Sequence, residues 1–115
     1  MNLESDKGPY YVLIDCKPTK CSWSAWLFST TEQSRYLSRW QTGGVIVSTI
    51  FTGVDYSLGT MIPPLLWETR INGGPMNDKW QRYATAEAAR NGHRKWVRKA
   101  KQALQKAEVV QMRST

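Results

Sequence analysis

The residues best suited to acid–base chemistry are two carboxylates, Asp55 and Glu68, which lie in or close to the segment 53–64. A general acid and a general base that act as a pair must lie within several ångströms of each other. Asp55 can instead cap a turn through its own backbone. Glu68 can instead face Arg70 or Arg82 across a strand. We therefore predict no catalytic residue, and we keep a small enzyme acting at Asp55 and Glu68 as an alternative.

Other residues that could support catalysis or metal binding are few. His93 is the only histidine of the chain, and its place on the apolar stripe of a predicted helix favours a structural side chain that is hydrogen-bonded beneath a sheet. A zinc site needs about four ligands, which Cys16, Cys21 and a single histidine cannot supply. The pairs Gly43-Gly44 and Gly73-Gly74 lack the spacing of phosphate-binding loops and indicate turns. We predict neither a metal site nor a cofactor.

The strongest physical signal is an uneven distribution of charge. The chain has a formal net charge of +7. Residues 79–113 contain ten Lys or Arg and two acids, whereas residues 1–78 contain six Lys or Arg and seven acids. This asymmetry favours an anionic partner.

The basic residues of the last third lie on a predicted helix, and no acid occurs between Ala88 and Ala107. Their spacing places Arg90, Arg94 and Arg98 on one side, Lys95, Lys99 and Lys106 on an adjoining side, and Lys101 away from both. Like charges three or four residues apart repel each other, so an external anion would stabilise them. We predict that Arg90, Arg94, Arg98 and Lys99 form an anion-facing surface. The anion is a nucleic acid, a nucleotide or an acidic protein face, and the alternative is a solvated surface.

A second predicted site lies around the loop 53–64. Asp55, Tyr56 and Glu68 are expected to contribute to it, with Arg70 or Arg82 nearby. The alternative is that Asp55 caps a turn and Tyr56 packs over the edge of the sheet.

Aromatic residues offer a further route to nucleic-acid binding, because an exposed ring beside basic residues can stack a base. Trp80 and Tyr83, close to Lys79 and Arg82, are the best candidates. The other five tryptophans have apolar neighbours and are predicted to be in the core: Trp23, Trp26, Trp40, Trp67 and Trp96.

The elements that must position these residues predict an α+β fold. Strand-forming segments occur at 10–15, 22–29, 35–42, 45–52, 65–71 and 79–83, with a turn at 17–20 and a polar connection at 30–34. The pair Gly43-Gly44 indicates a hairpin whose two glycines both take the positive φ of a type I′ turn. We predict an antiparallel meander of about five to six short strands, packed against one long C-terminal basic helix. The domain spans 10–110, between a flexible segment 1–9 and a tail 111–115.

The C-terminal helix is predicted to begin at Ala86, with Thr85 as its N-cap, and to end at about Glu108. An apolar stripe at three- and four-residue spacing, which includes Trp96 and Leu104, is expected to be buried against the sheet. Gly92 lowers helix propensity by about 1 kcal/mol relative to Ala, unless it allows a close approach to the sheet.

Three segments carry a resemblance: 47–56 (VSTIFTGVDY), 63–76 (PPLLWETRINGGPM) and 82–93 (RYATAEAARNGH). Together they resemble a group of small phage-encoded proteins of uncharacterised function, over less than half of the chain. The pattern of that group has His after the Asp of the first segment, where this chain has Tyr56. The resemblance implies a phage or prophage origin and no particular reaction. Small phage accessory proteins often act against host defences.

The leading hypothesis is a non-catalytic phage accessory protein that counteracts a host defence system by binding an anionic partner. That partner is a nucleotide messenger, a nucleic acid or a defence protein complex. The first alternative is a module that binds DNA or RNA directly. No apolar run approaches 18 residues, so we expect no membrane span and a location in the host cytoplasm. The oligomeric state, including a homo-oligomer, stays open.

Overall fold

The structure, a computed structural model, describes residues 8–32 and 35–113. Most of the predicted flexible segment 1–9, namely residues 1–7, lies outside the described residues, as do 33 and 34 of the predicted connection and 114 and 115 of the predicted tail. The elements in chain order are β1 (Tyr11–Ile14), β2 (Lys17–Lys20), α1 (Trp23–Glu32), β3 (Tyr36–Thr42), β4 (Val45–Phe51), β5 (Trp67–Asn72), β6 (Trp80–Tyr83) and α2 (Ala86–Arg113). The predicted α+β fold, with antiparallel strands and a long C-terminal helix, is confirmed.

The main sheet is a four-stranded antiparallel meander in the order β3-β4-β5-β6. The hairpin between β3 and β4 turns at Gly43-Gly44, directly after the pair Thr42 and Val45. Gly43 has a φ of 51°, but Gly44 does not share this left-handed conformation, so the prediction of positive φ at both glycines is wrong. Two residues are still enough to reverse the chain between paired strands.

A separate two-stranded hairpin precedes the main sheet. The prediction of a turn at 17–20 is wrong, since Lys17–Lys20 forms β2 and pairs antiparallel with β1. The chain reverses instead at Asp15 and Cys16, whose φ angles are 50° and 65°. Pro18 is tolerated in β2 because a two-stranded hairpin leaves a free edge, where a missing N–H breaks no ladder.

The predicted strand at 22–29 is also wrong, because Trp23–Glu32 forms the helix α1. Ser22 is its N-cap: the Ser22 hydroxyl accepts the backbone N–H of Ala25 at 3.1 Å, a bond that satisfies one of the free donors of a first helical turn. The helix leaves Trp23 54% exposed, so its predicted place in the core is wrong.

Helix α2 packs across one face of the main sheet. Its N-cap is Thr85, as predicted, whose hydroxyl accepts the backbone N–H of Ala88 at 3.0 Å. The helix continues to Arg113, beyond the predicted end and into the predicted tail. The close approach at Gly92 is confirmed, since a methyl group there would lie 2.2 Å from the Tyr83 hydroxyl oxygen.

The core between sheet and helix consists of two apolar clusters. One contains Phe51, Leu66, Trp67, Tyr83 and Ala89. The other contains Val45, Val47, Ile71 and Ala100. Trp96 and Leu104 pack against the second cluster but are only partly buried, because they lie toward the margin of the helix face that meets the sheet. The prediction that both are buried is therefore only partly correct.

Candidate nucleic-acid interface

A buried polar layer separates the two apolar clusters and fixes α2 on the sheet. The Thr49 hydroxyl lies 2.8 Å from His93 Nδ1 and 2.5 Å from the Thr69 hydroxyl. The Tyr83 hydroxyl donates to the Thr69 hydroxyl at 3.1 Å. Each of the three segments that carry the phage resemblance contributes to this layer. The layer joins three strands, β4, β5 and β6, to the helix.

His93 therefore has the structural place expected from the sequence. Its side chain is buried, with 6% of its surface exposed. Burial lowers the pKa of His93, and the nearby charge of Arg94 lowers that pKa further. Both effects favour the neutral imidazole over its protonated form.

The rotation of α2 decides which cations share a flank. Successive residues of an α-helix are about 100° apart, and the flank that points toward β3 carries Arg94, Arg98 and Lys101. Between this flank and β3 lies a groove with a volume of about 530 Å³. Trp40 of β3 pairs with Val47 on the α2 side and lines the groove, as does His93. Arg39 pairs with Ser48 on the other face, and it borders the groove at the edge of the sheet, where β3 is the outermost strand.

The groove is uniformly cationic. Its charged side chains are Arg39, Arg94, Arg98 and Lys101, and no acid lines it within the described part of the chain. None of the four forms an ion pair with another described residue. Arg94 donates to the neutral side-chain oxygen of Asn91. The positive charge is thus uncompensated, which is the electrostatic arrangement that attracts phosphate.

Of the four helix residues predicted to face an anion, only two line the groove. Arg94 and Arg98 line the groove. Arg90 is exposed but is not among the groove residues, and Glu87 lies three positions before it, where opposite charges attract. Lys99 lies on the opposite flank, with its Nζ 5.0 Å from the centroid of the Trp96 ring. Lys99 therefore lies on a different flank of α2 from Arg94 and Arg98, and its contact with an anion stays a prediction.

Lys101, Arg39 and Trp40 are the charged and aromatic groove residues that the sequence did not predict as site residues. The prediction that Lys101 lies away from Arg94 and Arg98 is wrong, because seven residues make almost two full turns and bring Lys101 back beside Arg94. The sequence places Trp40 in the predicted core and gives no separate signal for Arg39. The basic-aromatic pair Arg39-Trp40 within the predicted strand 35–42 is the one local hint.

One loop residue, Tyr56, meets the predicted strand residues on the other face of the sheet. We call this group the sheet-face cluster; it consists of Tyr56, Glu68, Arg70, Trp80 and Arg82. Arg82 Nε donates to Glu68 Oε1 at 3.2 Å, and Arg70 Nε lies 3.5 Å from Glu68 Oε2. The Arg82 guanidinium contacts two rings: its Cζ lies 4.2 Å from the centroid of Tyr56 and 4.4 Å from that of Trp80. Both rings are about half exposed.

Asp55 does not join the sheet-face cluster through its carboxylate. Oδ1 accepts the backbone N–H of Ser57 at 3.0 Å and the Ser57 hydroxyl at 2.6 Å, while Oδ2 accepts the backbone N–H of Gly59 at 3.0 Å. Burial alone would raise the pKa of Asp55, but these bonds and the charge of Lys20 lower it below its usual value. The capping of a turn by Asp55, one part of the alternative, is therefore confirmed.

The two carboxylates have different partners. Asp55 is hydrogen-bonded within its own loop, and Glu68 pairs with Arg70 and Arg82. No hydrogen bond joins the two side chains in the described segments.

The predicted site residues thus lie on two separate surfaces. Side chains alternate between faces along a strand, so Glu68, Arg70, Trp80 and Arg82 lie on the face opposite α2. Tyr83 points toward α2 and is buried, with 6% exposure, so its candidacy as an exposed stacking residue is wrong. Trp80 is exposed, as that candidacy requires, but it lies across the sheet from the groove.

Across residues 8–32 and 35–113, no cluster of three or more His, Cys, Asp or Glu could hold a metal ion. No helix within those ranges is long and apolar enough to cross a membrane. Comparison of the chain with protein-family models, curated proteins and solved structures finds no significant match.

Proposed function

We propose that this protein is a non-catalytic binding protein whose groove between α2 and β3 binds the phosphates of a nucleic acid or nucleotide. The observation that carries the proposal is the set of four groove cations, Arg39, Arg94, Arg98 and Lys101, with no acid among the described lining residues. Arg and Lys that neutralise phosphates release condensed counterions, which supplies most of the affinity in binding of this kind.

The proposal that the protein is non-catalytic rests on the structural partners that its candidate acid–base residues already have. The carboxylates of Asp55 and Glu68 have structural partners. His93 is buried, and its Nδ1 is hydrogen-bonded to Thr49, which gives the imidazole a structural role. The four groove cations are thus equipped to hold an anion.

A role for a phage against a host defence system, in the host cytoplasm, is a proposal that rests on the resemblance of the three segments alone. The groove is compatible with the two nucleotide-based forms of that role, a sequestered messenger and a bound nucleic acid. An acidic protein surface could bind to the same four cations, and the experiment below distinguishes such a partner from a phosphate-bearing ligand.

The experiment measures binding of fluorescein-labelled single-stranded and duplex DNA by anisotropy over a range of salt concentrations. With four phosphate contacts we expect a slope of log affinity against log salt of about −3 for a single strand. The double variant Arg94→Gln/Arg98→Gln should lose about half of that slope and weaken binding at least tenfold at low salt.

The matched control is Lys99→Gln/Lys106→Gln, which removes the same charge from the same helix but from outside the groove. We expect the control to bind almost as well as the unmodified protein. Equal weakening by the two double variants would show that the net charge, and not the groove, binds DNA. An absence of DNA and nucleotide binding at low salt would overturn the proposal and favour an acidic protein partner.

A further inference from the structure

The groove combines two kinds of surface that a simple phosphate site does not need. One side carries the cations of α2, and the opposite side carries Trp40 of β3. Trp40 packs against the apolar cluster of Val45, Val47, Ile71 and Ala100, and it is only partly buried. A flat aromatic surface is therefore held rigidly by the core while part of the side chain lines the groove.

We propose that the groove recognises a nucleotide unit whose unpaired base stacks on Trp40 while its phosphates contact Arg39, Arg94 and Arg98. This inference rests on the proposed function and deepens it, since it selects a single strand or a free nucleotide over a duplex. The faces of bases in a duplex are covered by their neighbours, whereas an unpaired base can stack on an aromatic side chain.

Lys101, the present neighbour of the Trp40 ring, can be displaced from the ring by a base. Lys101 Nζ lies 5.6 Å from the ring centroid, compared with 4.2 Å and 4.4 Å for the guanidinium of Arg82 against Tyr56 and Trp80. Lys101 is exposed and its side chain is flexible, so a base can take its place beside the ring. The displaced ammonium group then remains close enough to pair with a phosphate.

The dimensions of the groove fit the same ligand. Its volume of about 530 Å³ lies within the usual range of small-molecule sites. Arg94 and Arg98 are one turn apart, about 6 Å along the helix axis, so they can contact different phosphates of one ligand. The ligand class is thus a base with at least two phosphates.

The test compares two pairs of probes that have matched charge. The first pair is an oligothymidylate of about 12 nucleotides, a length that single-strand-binding proteins cover, and an abasic strand of the same length. The second pair is thymidine triphosphate and inorganic tripolyphosphate. Anisotropy measures the strands, and a thermal shift measures the small molecules.

We expect the unmodified protein to bind the oligothymidylate about tenfold more tightly than the abasic strand, as one stacked base would provide. Trp40→Leu should remove this preference and leave the affinity for the abasic strand unchanged, whereas Trp40→Phe should retain most of the preference. Arg94→Gln/Arg98→Gln should weaken both strands by the same factor. If only the small-molecule pair shows the base preference, the ligand is a free nucleotide and the stacking proposal stands.

Equal binding of the oligothymidylate and the abasic strand, together with equal binding of the two small molecules, would overturn the role of Trp40 and leave the phosphate site intact. That comparison uses the unmodified protein, so it decides the question even if Trp40→Leu fails to fold. Failure of every probe to bind would instead overturn the proposed function itself.

Discussion

The contact between Gly92 and Tyr83 makes a prediction whose sign is opposite to the usual rule for helices. Replacement of an interior helical Gly by Ala normally stabilises a helix by about 1 kcal/mol. Here a methyl group at position 92 would lie 2.2 Å from Tyr83 Oη and 2.3 Å from Cε1 and Cζ of the same ring. Tyr83 is buried and donates to Thr69, so its ring cannot move without losing that hydrogen bond.

The expected magnitude is the balance of three contributions. Overpacking of a filled core costs about 1–3 kcal/mol, loss of the Tyr83 hydrogen bond costs about 1 kcal/mol, and the helix propensity of Ala returns about 1 kcal/mol. We therefore expect Gly92→Ala to lower the free energy of unfolding by about 2 kcal/mol. For a domain of this size the melting temperature should fall by about 8–15 °C.

The assay is chemical and thermal unfolding followed by circular dichroism, with Tyr83→Leu as the matched background. The shorter side chain of Tyr83→Leu leaves space for the methyl group, so Gly92→Ala should become neutral or stabilising in that background. A Gly92→Ala variant that is as stable as the unmodified protein would refute the close approach of α2 to β6. The position of the cationic groove depends on the same helix placement.

Three further predictions test other parts of the structure. The pKa of His93 in the folded protein is below its ordinary value of 6.5, so the unfolded state binds more protons. The free energy of unfolding should therefore be at its full value above pH about 6.5 and fall as the pH is lowered, by at most about 1.4 kcal/mol per pH unit. A urea titration of His93→Gln that shows the same loss between pH 6.5 and 5 would contradict this. Thr85→Ala should cost about 1 kcal/mol of unfolding free energy through loss of the N-cap of α2, and a denaturant midpoint that does not change would show that the cap bond has no energetic effect. Trp80→Ala and Tyr56→Ala should each expose Arg82 and lower the free energy of unfolding by about 1 kcal/mol. Both variants should keep their DNA affinity at low salt, because both rings lie across the sheet from the groove. A tenfold loss of affinity would place the binding surface on the sheet-face cluster instead.

The elements that were predicted correctly are those whose sequence patterns consist of neighbouring residues. The Gly43-Gly44 turn lies between two strand-forming segments, and Thr85 precedes a long amphipathic pattern. The structural role of His93 followed from its place on that pattern. The capping role of Asp55 was available from the tendency of this residue to bond to its own loop.

The elements that were predicted wrongly depend on competition between weak local preferences. Residues 17–20 contain a proline and still form a strand, because the partner β1 supplies the pairing. Residues 22–29 contain strand-forming aromatics and still form a helix, because Ser22 caps it and Trp26 Nε1 donates to the backbone oxygen of Thr52 at 3.0 Å. That long-range bond is not visible in the local sequence.

By itself the sequence determined the charge of this protein, the existence of its basic helix and the meander that supports it, since composition and periodicity are properties of neighbouring residues. Only the tertiary structure decided which cations act together. The rotation of α2, set by the Gly92 contact and by the bond from His93 to Thr49, turns Arg94, Arg98 and Lys101 toward β3. The same packing brings in Arg39 and Trp40, more than fifty residues earlier in the chain, because a groove forms between surfaces that meet only when sheet and helix bury their apolar faces together.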